Sequence, residues 1–170
     1  MQNKFQSDAE ELVKSLACIL DGGQMTLATA ESCTGGRIAS MITSLPGCSS
    51  FYKGGVVAYS NEVKERCLGV RVETLQKHGA VSAQTVCEMA EGVCSLLHAD
   101  CAVATSGIAG PEGGTPEKPV GTIWMAVSVR GKVPVAKCLH GDCGRERNAC
   151  NAALNALKYL VEELQMEKCQ

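Results

Sequence analysis

The sequence has no excess of basic residues, few aromatic residues and no long apolar run. Its 16 Lys and Arg against 18 Asp and Glu give a formal net charge of −2, and only 4% of its residues are aromatic. A balanced charge of this kind does not favour nucleic acid as a partner. The apolar runs are far shorter than the ~20 residues that cross a membrane. The polar, acidic first residues lack the apolar segment of a secretory signal. The sequence therefore predicts a cytoplasmic protein that binds neither nucleic acid nor membranes.

The 11 cysteines lack the spacing of a metal site or of a disulfide framework. Their number is odd, and no Cys-x-x-Cys pair or Cys/His cluster occurs. Cys87 and Cys94 fall on the apolar side of a predicted helix, and Cys101 falls in an apolar strand. We interpret most of the cysteines as small buried hydrophobic residues of a reduced protein. We predict neither a metal nor a cofactor.

Two common nucleotide-binding signatures are also missing. Neither Gly-x4-Gly-Lys-Ser/Thr nor a Gly-x-Gly-x-x-Gly after the first strand is present. P-loop and dinucleotide-binding folds are therefore unsupported.

The alternation of apolar strands and amphipathic helices predicts a three-layer α/β/α fold. A length of 170 residues fits a single domain, 1–170, with a sizeable core. The Arg130-Gly131-Lys132 turn predicts a hairpin that makes one strand antiparallel. We expect a mixed, mostly parallel sheet of about five strands. The predicted helices are 7–20, 38–45, 61–68, 72–78, 83–97 and 145–165, and the predicted strands are 25–30, 54–59, 101–106, 122–129 and 133–139.

One stretch, residues 28–36, combines a buried strand, a tight turn and a helix start. It would present the Ser32 hydroxyl at the carboxyl end of the sheet, where open α/β sheets bind ligands. The glycine pair Gly35-Gly36 lets the backbone approach a ligand closely. The N–H groups that open the helix can hold an anion or a developing oxyanion. The same residues also fit an ordinary capped helix start.

Three groups of residues converge on this edge of the predicted sheet. The groups are Ser32 with Thr34, Gly35 and Gly36; Tyr59 at a strand end with Lys64 one turn into the next helix; and the Gly-rich segment that starts at Ser106-Gly107 and runs through Gly110 to Gly114. The loop 107–121 holds five of the 18 glycines and three of the five prolines, which is typical of a functional or mobile loop.

A serine becomes a nucleophile only when a base takes its proton. None of the three histidines is well placed for this role, so Lys64 or Tyr59 is the better candidate. Serine–lysine pairs occur among acyl-transfer enzymes. Lys64 would need partial burial to lower its pKa; the alternative is a solvated lysine on a short helix. Cys33 is a rival nucleophile because a helix N-terminus lowers a thiol pKa.

Four segments in order, 29–36, 54–61, 78–82 and 106–122, carry the resemblance to a known family. They are similar to the C-terminal domain of the competence/damage-inducible protein CinA and to its stand-alone form, the nicotinamide-nucleotide amidohydrolase. The resemblance covers roughly residues 9–164. It implies a three-layer α/β/α fold and hydrolysis of the carboxamide of nicotinamide mononucleotide to nicotinic acid mononucleotide and ammonia, in pyridine-nucleotide salvage.

The resemblance also implies roles for individual residues. Ser32 would be the nucleophile, Lys64 the general base and Tyr59 a supporting hydroxyl. The implied substrate-binding residues are Thr34, Gly35, Gly36, Ser106, Gly107, Gly110 and Arg147, with the loop 107–114 closing over the nucleotide. Cys143 stands where the family usually has Arg directly after Gly-Asp, a departure that concerns phosphate or ribose binding more than the chemistry.

Two other functions stay open at this stage. One is a non-catalytic nucleotide-binding or protein-interaction module, which the Cys143 departure supports. The other is a deamidase for a different amide. We expect a small-molecule nucleotide as the partner, with a homo-oligomer as an alternative to a monomer. We do not expect the separate N-terminal domain of full-length CinA here, so its activity is not carried over.

Overall fold

The computed structural model describes residues 2–167, which form strands and helices in an alternating order. In sequence they are α1 (Gln2–Gly23), β1 (Leu27–Glu31), α2 (Arg37–Thr43), a 3-10 turn (Cys48–Ser50), β2 (Tyr52–Val57), α3 (Asn61–Leu68), α4 (Val72–His78), α5 (Ala83–Leu97), β3 (Cys101–Gly107), β4 (Ile123–Val129), β5 (Val135–Leu139) and α6 (Arg145–Glu167). No helix among residues 2–167 combines the length and apolarity needed to cross a membrane.

The strands form one five-stranded mixed sheet with the order β2-β1-β3-β4-β5. β1 pairs in parallel with β2 and β3, whereas β4 pairs antiparallel with β3 and β5. The predicted mixed sheet and its single antiparallel strand, β4, are confirmed. The carboxyl ends of β1, β2 and β3 therefore lie at the edge of the sheet where β4 begins.

Helices cover both faces of the sheet, because successive strand residues point to opposite sides. α1, α2 and α6 pack on the larger side chains of one face, which include Leu27, Val103 and Val127. α5 packs on a face of alanines. The alanines are Ala28, Ala30, Ala102, Ala104 and Ala126. Their small side chains let α5 lie close to the sheet. The three-layer α/β/α prediction is confirmed.

A second close approach fixes α3 against α5. A Cβ added at Gly92 of α5 would lie 1.8 Å from the backbone oxygen of Leu68, the last residue of α3. Only glycine allows this contact. Since α3 carries Lys64, the contact helps to place that lysine.

Several predicted boundaries hold and others shift. α4 and α5 begin and end as expected, and Ser82 caps α5 by accepting from the N–H of Thr85. α1 starts before Ser7, which lies inside the helix and is not its cap. β2 runs over 52–57 and not 54–59, so Tyr59 follows the strand. The two glycines of this edge strand carry no side chains, so the sequence lacks the apolar–polar alternation from which the ends of the strand could be located.

Candidate active site

Ser32 directly follows the last residue of β1, and its backbone is fixed by the next strand. The N–H of Ser32 donates to the carbonyl of Thr105 in β3 at 3.0 Å. Lys64 lies near the start of α3, whose cap Ser60 accepts from the N–H of Val63. Its Nζ is 3.1 Å from the Oγ of Ser32 and donates to the carbonyl of Ala58 at 2.7 Å. The structure thus brings together Ser32 and Lys64 as the sequence predicts.

The Lys64 amine lies in surroundings that favour its neutral form. The residue is 1% exposed, and both hydrogen-bond partners of its Nζ are uncharged groups. Burial lowers the pKa of Lys64 because the charged form loses its hydration. A neutral amine at this position can accept the proton of the Ser32 hydroxyl.

Cys33 shares the turn with Ser32 but has a poor environment for a nucleophile. Burial raises the pKa of the Cys33 thiol to about 12, and a hydrogen bond from its own backbone only partly opposes this. A reactive cysteine needs a lowered pKa, since the thiolate is the nucleophile. The geometry and the charge state both favour Ser32.

The N-terminus of α2 is occupied by a side chain of the protein itself. The carboxylate of Glu31, which is 1% exposed, accepts from the backbone N–H groups of Gly36 (3.0 Å), Ile38 (3.1 Å) and Ala39 (2.8 Å). The N–H of Gly35 donates to the carbonyl of Ser32. The expected anion cradle at this helix start is therefore filled by Glu31. Within the turn, the N–H group of Cys33, which lines the cavity, is the remaining candidate to hold an oxyanion, whereas Thr34 is buried away from the cavity.

Thr34 and Ser106 direct their hydroxyls to protein partners. The Thr34 Oγ1 is hydrogen-bonded to Thr105 Oγ1 at 2.7 Å, and Thr34 is completely buried. The Ser106 Oγ donates to the carbonyl of Ala80 at 2.7 Å. Thr34 therefore anchors the turn to β3, and Ser106 anchors β3 to the segment before α5.

A cavity of 260 Å³ opens next to Ser32 and Lys64. It is bounded by the turn after β1, the start of α3, the α4–α5 connection, the loop after β3 and the start of α6. Its lining residues are Ser32, Cys33, Tyr59, Asn61, Lys64, Ala80, Val81, Ser106, Gly107, Ile108, Ala109, Gly110, Glu112, Gly113 and Arg145. Ser106, Gly107 and Gly110 line it as the sequence predicts.

Arg145, and not Arg147, is the arginine at this cavity. Its Nη2 donates to the hydroxyl of Tyr59 at 2.7 Å, and its Nη1 donates to the carbonyl of Gly110 at 2.6 Å. Arg147 is exposed and is not among the lining residues. Side chains two residues apart in an α-helix differ in direction by about 200° around the helix axis. The two arginines of α6 therefore point in nearly opposite directions. Tyr59 is 61% exposed and lies at the rim.

Asn148 is a site residue that the sequence reasoning missed. It is 4% exposed, and its Nδ2 donates to the carbonyl of Ala109 at 3.0 Å and to Asp142 Oδ1 at 2.9 Å. Its Oδ1 accepts from the N–H of Cys143 at 2.9 Å. The only indication of this role in the sequence is that the amide side chain of Asn148 stands beside the apolar positions of α6. Asn148 joins the loop after β3 to the segment before α6.

The loop 107–114 is a held wall of the cavity in this structure. Asn148 and Arg145 bind the carbonyls of Ala109 and Gly110 on one side. Farther along the same connection between β3 and β4, Lys118 donates to the carbonyls of His78 and Val81. The family resemblance implies a loop that closes over a nucleotide, whereas in this structure the loop already has fixed partners. Among the residues described, no group of three or more His, Cys, Asp or Glu side chains is placed to hold a metal ion.

Comparisons with known proteins identify chains of similar sequence and fold. The family model of the CinA C-terminal domain matches residues 9–164. A CinA-like protein of Thermotoga sp. is 47% identical over 153 residues, which are 89% of this chain and 38% of that protein. The chain thus spans less than half the length of the curated relatives that it matches.

Two solved structures match over nearly their full length. A competence/damage inducible protein of Agrobacterium tumefaciens has a TM-score of 0.89 and 40% identity, with 93% of this chain and 96% of that chain covered. The competence damage-inducible protein A of Klebsiella pneumoniae has a TM-score of 0.88 and 41% identity, with 92% and 97% covered.

Proposed function

The chain belongs to the CinA C-terminal domain family, and from this we propose that it is a serine amidohydrolase acting on nicotinamide mononucleotide. The products would be nicotinic acid mononucleotide and ammonia. The observation that carries the proposal is the buried Lys64 Nζ at 3.1 Å from the Ser32 Oγ, at the side of a cavity. A buried amine beside a hydroxyl is the arrangement that activates a serine without a histidine.

The reaction follows from the placement of these groups. Neutral Lys64 takes the proton of Ser32 as the Oγ attacks the carboxamide carbon, and the N–H group of Cys33 holds the oxyanion. The Lys64 ammonium then gives its proton to the leaving nitrogen, so that ammonia departs and an ester to Ser32 remains. Lys64 next takes a proton from water, which attacks the ester. Return of that proton to Ser32 releases the acid.

The positions of the charged groups support a nucleotide over a free amide. The start of α2 is filled by Glu31, so the substrate phosphate has no site there. The guanidinium of Arg145 lies at the cavity rim, where phosphate can replace the Tyr59 hydroxyl and the Gly110 carbonyl as its partner. The cavity of 260 Å³ lies below the ~300–1,000 Å³ of ordinary ligand pockets. We assign it to the pyridine carboxamide, with the phosphate at the rim.

The experiment is ammonia release from a panel of amides by the wild-type protein and Ser32→Ala. The panel contains nicotinamide mononucleotide, nicotinamide riboside, nicotinamide and glutamine. We expect release from the mononucleotide above all others and none from the variant. Faster release from another amide would reassign the substrate and keep the chemistry. Thermal stabilisation by the mononucleotide without any ammonia would instead indicate a non-catalytic nucleotide-binding module, the alternative that Cys143 supports.

A further inference from the structure

The side chain of Lys118 bridges two segments that are distant in sequence. Its Nζ donates to the carbonyls of His78 at 2.9 Å and Val81 at 2.7 Å. These carbonyls flank Gly79, where an added Cβ would lie 3.6 Å from the same Nζ. The ammonium therefore sits directly over the turn between α4 and α5. A charged donor on two carbonyls is stronger than a neutral one.

The two bridged segments both line the cavity. Ala80 and Val81 line it from the α4–α5 connection, and residues 107–110 line it from the loop after β3. Lys118 itself is not among the lining residues. A second tie, from the Ser106 Oγ to the carbonyl of Ala80, lies at the start of the loop. Lys118 fixes the walls at the far end of the loop.

The loop is packed tightly enough to transmit this constraint. The N–H of Gly121 donates to the carbonyl of Ile108 at 2.8 Å, which joins its outgoing and returning halves. A Cβ added at Gly110 would lie 2.5 Å from Val120 Cγ1, and one at Gly114 would lie 2.9 Å from the Val120 nitrogen. A displacement of Lys118 therefore moves the residues that face the cavity.

We propose that Lys118 is a positioning residue that sets the shape of the cavity by holding the 78–81 wall against the loop. It acts without touching the substrate. Neither member of the Ser32–Lys64 pair lies on the segments that Lys118 joins, so loss of Lys118 changes how well a substrate fits more than how fast the bound substrate reacts.

The first test needs no substrate. Backbone hydrogen exchange is followed in the ligand-free full chain for wild type, Lys118→Met and Lys118→Arg. Lys77→Met is the matched control, because Lys77 is an exposed lysine in the last turn of α4, the helix that ends at the Lys118 partner His78. We expect exchange of the hydrogen-bonded amides of Gly79 on one wall, and of Ile108, Thr115 and Gly121 in the loop, to accelerate by about tenfold in Lys118→Met. The conservative variant Lys118→Arg would restore part of the protection, and Lys77→Met would leave it unchanged.

Exchange is compared with that of β3 in the same protein, so that a general loss of stability is separated from local release of the walls. Unchanged exchange at both walls in Lys118→Met would overturn the proposal. Equal acceleration in β3 and in the walls would also overturn it, because Lys118 would then only stabilise the fold.

The second test is kinetic and rests on the proposed function. We expect KM to rise by about fivefold to tenfold in Lys118→Met for both nicotinamide mononucleotide and nicotinamide riboside, with kcat changed less than about threefold. A rise confined to the mononucleotide would show that Lys118 binds the phosphate and would overturn the positioning role. Absence of turnover in the wild type would refute the proposed function, and the exchange result would still decide this proposal.

Discussion

The Lys64 Nζ lies 3.1 Å from the Ser32 Oγ, although the two residues are 32 positions apart in the sequence. The end of β1 supplies one partner and the start of α3 supplies the other. Close contact of Gly92 with Leu68 holds α3 in place. The carbonyl of Ala58, which follows β2, accepts from the same amine. The pair is therefore built from three neighbouring elements.

Alanine substitution of each candidate nucleophile tests which of the two side chains attacks the substrate. We expect Ser32→Ala to lower ammonia release by at least about 1,000-fold. Cys33→Ala should retain activity, since burial raises the pKa of its thiol to about 12. Steady-state ammonia release is measured for both variants, with thermal unfolding to confirm that each one folds. A large loss in Cys33→Ala together with sensitivity to thiol alkylation would transfer the nucleophile to the cysteine.

Activity should rise with pH as Lys64 loses its proton. Burial lowers the pKa of Lys64 below its ordinary 10.5, so the midpoint of the rise should lie below that value. Lys64→Arg should be inactive across the range, because a guanidinium stays protonated. The measurement is the pH profile of kcat/KM for both proteins. A flat profile in the wild type would contradict a lysine base.

The same shift predicts a pH-dependent stability. Between the lowered pKa of folded Lys64 and the unfolded value near 10.5, the unfolded chain binds more protons than the folded protein. The free energy of unfolding therefore rises with pH through this window. Below the window both states are protonated and the burial cost of the charge is fully present. Lys64→Met should lose this slope in urea unfolding at several pH values. An unchanged slope in the variant would assign it to other groups.

Glu31 should contribute strongly to stability. Glu31→Gln removes a buried charge that accepts from three backbone N–H groups, and it turns an amide donor toward them. We expect a loss of about 2–4 kcal/mol in the free energy of unfolding. Glu146→Gln is the control, since that side chain is 76% exposed, and should cost less than about 1 kcal/mol. Similar urea midpoints for the two variants would contradict the role of Glu31.

The two arginines of α6 should differ in their effect on substrate binding. We expect Arg145→Ala to raise KM for nicotinamide mononucleotide by about 10- to 100-fold, because a charged hydrogen-bonding partner of the phosphate is lost. Arg147→Ala should change KM by less than about twofold, as its exposed side chain lies off the cavity. The reverse order would restore the sequence prediction for Arg147 and refute the role of Arg145.

The parts of the protein that sequence predicted well are those with local signals. Ser82 and Gly79 mark helix ends by their own chemistry, and α4 and α5 have the expected bounds. Ser32 and Lys64 each follow a strand end closely, so topology alone places them at one edge of the sheet. The short distance between Ser32 and Lys64 follows from this shared position.

The parts that sequence did not predict depend on contacts between distant segments. The Glu31 side chain binds the N–H groups at the start of α2, where an anion is expected from the sequence. The hydrophobic pattern of the sequence does not predict this side-chain direction. Arg145 and Arg147 have the same residue type and lie in the same helix turn, and only the packing angle of α6 distinguishes them. The partners of Lys118 and Asn148 lie on loops without a repeating pattern.

The antiparallel direction of β4 has a consequence for how this site can change. Gly107 and Ile123 are paired neighbours in the sheet, so the chain leaves β3 and enters β4 at adjacent positions. A parallel β4 would have required a crossover of a dozen or more residues to the other edge. Residues 108–122 therefore only have to join two neighbouring strand ends, so the length of this segment can change without any change in the strand order.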